Sequence, residues 1–130
     1  MKKYLLIAFA FTALFSCNKE PGYGGQAIIK GQIWVESWNA EFTEKKGEYF
    51  GTDRDVYIIH GDGNAPDDRV KSGPDGTFQF AYLLPGKYQI YVYSEDSTLQ
   101  SPDGMIAIMQ EVEIMEKDQI VDLSQLTVFD

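Results

Sequence analysis

From residue 27 to residue 130, apolar and polar side chains alternate with a period of two, in short runs cut by Gly, Pro, Asp and Asn. A strand points successive side chains to opposite faces, so this spacing builds a one-sided apolar surface in a sheet. A helix needs apolar residues three and four apart and cannot use the pattern. The chain is therefore expected to be all-β, with seven or eight short strands in a sandwich. The first strand is predicted at residues 26–38, with Ile29, Gly31, Ile33 and Val35 inward and Ile28, Lys30, Gln32, Trp34, Glu36 and Trp38 outward. Further strands are predicted at 55–60, 69–72, 77–83 (Phe78, Phe80 and Tyr82 inward), 87–94 (Tyr88, Ile90 and Val92 inward), 105–115 and 120–129. Residues 61–68 are dense in turn formers and are read as a loop, while Gly73-Pro74-Asp75-Gly76 and Pro102-Asp103-Gly104 are read as tight turns. Residues 39–53 are read as a long loop carrying Phe42, Tyr49 and Phe50; loops of that length are often functional.

The amino terminus has a different character. Lys2 and Lys3 precede an apolar run over residues 4–16. A helix of that length is about 20 Å long, short of a hydrocarbon core of about 30 Å. It has the form of a signal-peptide core. Leu14-Phe15-Ser16-Cys17 resembles a bacterial lipobox, with Phe15 departing from the small residue usual there. The resemblance implies cleavage ahead of Cys17, acylation of that cysteine, and a lipid anchor in the cell envelope, with Asn18 favouring the outer membrane. Two or more acyl chains meet the requirement for stable anchoring. Residues 1–16 are thus expected to be a lipoprotein signal, 17–26 a flexible tether, and 27–130 one domain.

Asp75-Gly76-Thr77-Phe78-Gln79-Phe80, followed by Leu84-Pro85-Gly86-Lys87-Tyr88-Gln89-Ile90, resembles the signature of carboxypeptidase-regulatory-like domains. That resemblance covers residues 28–94 and implies a Greek-key sandwich of transthyretin-like or immunoglobulin-like form. It concerns the fold, and function has to be argued from a site.

Charge and composition bound the chemistry. The formal net charge is −9 with pI ≈ 4.5, and loss of Lys2 and Lys3 would make the chain more acidic still. Nucleic acid, which needs a basic footprint, is not an expected partner. One cysteine leaves no disulfide framework. His60 beside Asp62 is read as a strand-end residue, since no nucleophile elbow or metal-binding helix motif accompanies it. No catalysis and no cofactor are expected. The one ion these loops offer ligands to is Ca²⁺, through Asp62, Asn64, Asp67 and Asp68, although their spacing departs from an EF-hand. The other candidate surface is aromatic: Trp34 and Trp38 on the outer face of the first strand, Tyr91 and Tyr93 on the outer face of the 87–94 strand, and Tyr49 and Phe50 from the 39–53 segment. Exposed flat rings suit the stacking of sugar rings, and the same side chains also suit packing alone. The sequence therefore points to a non-catalytic binding or scaffolding module, whose partner is a glycan or an envelope protein.

Overall fold

The structure, a computed structural model, describes residues 20–130. Cys17 and the leader lie outside the described residues. The chain is all-β, and eight strands form two four-stranded sheets packed as a sandwich. The strands are β1 (Tyr23–Trp38), β2 (Lys45–Phe50), β3 (Asp55–His60), β4 (Asp68–Lys71), β5 (Thr77–Leu83), β6 (Gly86–Glu95), β7 (Met105–Ile114) and β8 (Ile120–Phe129).

The first sheet is organised by β1. Strand β8 runs parallel along one side of it, from Ile28↔Ile120 to Glu36↔Phe129. Strands β5 and β2 lie antiparallel and end to end along the other side. Ile33 marks the handover: its N–H donates to the Gly76 carbonyl (2.8 Å), and its carbonyl accepts from the Gly51 N–H (2.9 Å). The second sheet is antiparallel throughout, in the order β4-β3-β6-β7.

Alternation places the core where it was expected. Ile29, Ile33 and Val35 from β1 meet Val56 and Ile58 from β3 and Tyr88, Ile90 and Val92 from β6, all buried. Gly31 is inward as well, and the missing side chain makes room for Phe78, whose ring would lie 2.7 Å from a Cβ at that position. Both Pro-Asp-Gly turns form alike. Gly76 N–H donates to Gly73 O (2.9 Å) and Gly104 N–H to Ser101 O (3.2 Å). The aspartates cap the exits, Asp75 Oδ1 accepting from the Thr77 N–H (3.1 Å) and Asp103 Oδ1 from the Met105 N–H (3.1 Å).

Three expectations need correction. Tyr82 is not inward: it is 74% exposed with φ +60°, and Leu83 takes the core position instead. The irregular pairing of β1 with β5 around Ala27 and Leu83 shifts the alternation by one residue there. The 39–53 segment is not one long loop, because β2 occupies Lys45–Phe50 and pairs with β1. Asn39 closes the hairpin, its Oδ1 accepting from the N–H groups of Thr43 (2.8 Å) and Glu44 (3.0 Å). Finally, β1 starts at Tyr23, inside the stretch expected as tether. Gly22 is held there by its N–H to the Tyr88 hydroxyl (2.8 Å) and by its carbonyl to the Leu84 N–H (2.8 Å).

Candidate binding surface

The outer face of the first sheet carries the predicted aromatics. Trp34, Glu36 and Trp38 alternate along β1, and pairing with β2 sets Phe50 opposite Trp34 and Glu48 opposite Glu36. The rings of Trp34 and Phe50 meet edge to face, with centroids 5.3 Å apart at 82°. Trp38 meets Phe129 of β8 in the same way at 6.3 Å and 83°, and Phe42 from the hairpin turn adds a third ring at 6.1 Å from Phe129. The tryptophans are half-buried, and Phe50 is 44% exposed.

Two carboxylates sit within this row. Glu36 Oε1 accepts from the Trp38 indole N–H (3.2 Å). Glu48 binds the Lys45 ammonium at 2.6 Å. That hydrogen bond holds Glu48 below the usual carboxylate range, with a smaller contribution in the same direction from the Trp34 indole. Glutamates directly opposite each other across a strand pair destabilise it. Lys45 offsets part of that repulsion.

Of the four predicted aromatics, the structure brings three to one face. Tyr49 is opposite Val35, whose side chain is inward, and so projects from the other side of β2. There its hydroxyl donates to Asp130 Oδ2 (3.0 Å), which also accepts from Arg54 Nη2 (2.7 Å). The Arg54 guanidinium holds the Asp130 carboxyl below its ordinary value. A depressed native pKa gives stability that is complete above the unfolded-state value and is lost as pH falls through the native one. Asp130→Asn is therefore expected to lower the melting temperature slightly at pH 7 and to match the parent in acid, below the ordinary carboxylate range. Thermal melts at both pH values check this.

The calcium candidates do not converge. Asp67 Oδ2 accepts from the His60 backbone N–H (2.7 Å), and Asp68 Oδ2 accepts from the Tyr23 hydroxyl. Asp62 and Asn64 are exposed. Among the described residues, no group of three or more His, Cys, Asp or Glu side chains is placed to hold a metal ion. His60 packs edge-on against Tyr23 (5.3 Å) and Tyr88 (5.6 Å), and its Nε2 is buried without a hydrogen-bond partner.

Sequence reasoning placed Glu36 on this face but missed Phe129 and Glu48 as members of the surface. Phe129 arrives through the parallel pairing of β8 with β1, a contact between strands far apart in sequence that leaves no local trace. The outer face of the second sheet holds a second aromatic group. Tyr57 stacks on Tyr91 at 5.0 Å and 14°, and Tyr93 edges onto both. Tyr91 is buried by this stacking.

Against known proteins, no family model matches the chain, and no curated protein matches it either. Among solved structures, the chain is similar to a Pseudomonas aeruginosa protein described as a "putative carbohydrate binding protein". The two share 12% identity, with a TM-score of 0.49 over 89% of this chain and 94% of that one.

Proposed function

We propose that the chain is a lipid-anchored cell-envelope protein, held in the outer membrane through acylated Cys17, whose sandwich is a non-catalytic binding module. The carboxypeptidase-regulatory-like resemblance is part of the same proposal. The binding reading is carried by one observation: the outer face of β1 and β2 keeps Trp34, Phe50 and Trp38 partly in solvent, with Glu36 and Glu48 facing each other between them. Local rules of stability are broken there, and such breaks concentrate at functional sites. Aromatic rings offer flat apolar area, and carboxylates accept hydrogen bonds from hydroxyls. The ligand chemistry that uses both is a glycan, with apolar ring faces and a hydroxyl rim.

Anchoring and binding are tested separately. Cys17→Ala is expected to move the protein from the membrane pellet to the soluble fraction and to remove the acyl mass. An unmodified amino terminus on the membrane-extracted parent would overturn the anchor. For binding, Trp34→Ala is expected to weaken retention on a glycan array by about tenfold or more, equivalent to about 1.4 kcal/mol. Full retention by that variant would remove the aromatic row from the site.

A further inference from the structure

The aromatic row is half of a longer surface. Continuing along β1 toward its start, the outward positions are Gln32 and Lys30. Gln32 is paired with Thr77 of β5 and Gln125 of β8, and Lys30 with Gln79 and Asp122. These side chains line a groove of about 900 Å³ together with Ser124, and Val70 and Lys71 of β4 and the edge of the buried Phe78 complete its wall. Its wall is mixed: Val70 and Phe78 give apolar surface, and the polar groups are amides, two hydroxyls, two ammoniums and a carboxylate, some of them already oriented. Gln32 Nε2 donates to the Asp75 carbonyl (2.9 Å), and its Oε1 accepts from Gln125 Nε2 (3.2 Å). Amides held in this way present fixed donors and acceptors, so little side-chain freedom is lost when a ligand binds.

The two halves share one strand and one face. From Lys30 to Trp38 the row extends about 26 Å, at about 3.3 Å per residue, which is room for roughly five hexose rings. We infer that the whole outer face of β1, from the Lys30–Gln32–Gln125 groove to the Trp34–Phe50–Trp38 row, is a single track that binds an internal stretch of a neutral, equatorially linked polysaccharide. This rests on the glycan reading of the aromatic row. Neutrality follows from charge: Glu36 and a net charge of −9 repel uronate or sulfate polymers, while the two cations of the groove already have acidic neighbours, Lys30 beside Asp122 and Lys71 ion-paired with Asp55 (3.2 Å). Equatorial linkage follows from shape, since such chains are extended ribbons that can lie along a strand, whereas axially linked chains coil away from it. A track open at both ends admits the middle of a polymer and needs no chain terminus.

The test is a calorimetric ladder of cello-oligosaccharides from dimer to hexamer, with maltohexaose for contrast. The parent is expected to gain about tenfold or more in affinity between trimer and hexamer, since each added ring contacts new side chains. Gln32→Ala with Gln125→Ala is expected to lose the gain in affinity between trimer and hexamer. Both positions are on the solvent side, and melting curves of the variant check that it is folded. Maltohexaose is expected to bind at least tenfold more weakly than cellohexaose. Trimer binding without any gain at hexamer would overturn the track and leave the aromatic site standing. Equal affinity for maltohexaose would overturn the ribbon geometry. Binding of no oligosaccharide would overturn the aromatic reading along with the track.

Discussion

Gly76→Ala is expected to destabilise the domain by about 3 kcal/mol or more, a loss that few single substitutions reach. Gly76 has φ +79°, and a Cβ there would lie 2.4 Å from the Ile33 carbonyl oxygen. That oxygen is backbone and is engaged with the Gly51 N–H at the point where β5 gives way to β2 beside β1. It cannot retreat without breaking the ladder on both sides. Gly104 is the matched control, in the same kind of turn with φ +77° but nothing within 4 Å of an added Cβ. Gly104→Ala is expected to cost only the backbone strain, about 1 kcal/mol. Urea denaturation of the two variants separates the terms. Equal losses would show that steric contact at Ile33 contributes nothing.

The second large effect is at Tyr88, which is 1% exposed and among the largest fully buried side chains. Its ring fills the core, while its hydroxyl accepts from the Gly22 N–H (2.8 Å) and donates to the Leu84 carbonyl (2.6 Å). Tyr88→Ala is expected to cost about 3–5 kcal/mol through lost transfer energy and the cavity left behind. Tyr88→Phe keeps the volume and strands two polar groups, for about 1–3 kcal/mol. The smaller change has a local signature. Without the hydroxyl, residues 20–23 lose a tie to the body of the domain, so amide exchange should accelerate at Gly22 and Tyr23 more than at Ile58 or Ile90. Uniform acceleration would show that the hydroxyl acts only on global stability.

Much of this architecture is legible in the sequence because period-two alternation needs no tertiary information. Ile33 and Val35, or Ile90 and Val92, declare their face by spacing alone. Tyr82 defeats the same rule, since its positive φ resets the phase and the alternation carries no sign of it. Strand β2 was hidden for another reason. All six of its residues are exposed, so it lacks the apolar face that marks a strand. The site was half visible: Trp34 and Trp38 share a parity on β1, but Phe50 reaches them only through the β2 register. Tyr49, its neighbour in sequence, is sent to the opposite face by that same register. Phe129 and Gln125 depend on parallel pairing between strands far apart in sequence, which no local pattern encodes.

Ligand binding on the outer face of β1 can be read directly at its two indoles. The chain has two tryptophans, Trp34 and Trp38, both on that face, so a nitrogen–proton correlation spectrum shows two indole resonances. Titration with cellohexaose is expected to shift both, together with the side-chain amides of Gln32 and Gln125. The backbone amides of Tyr57, Tyr91 and Tyr93 on the opposite sheet should remain still. Shifts centred on those tyrosines, with the two indole signals unmoved, would contradict the account.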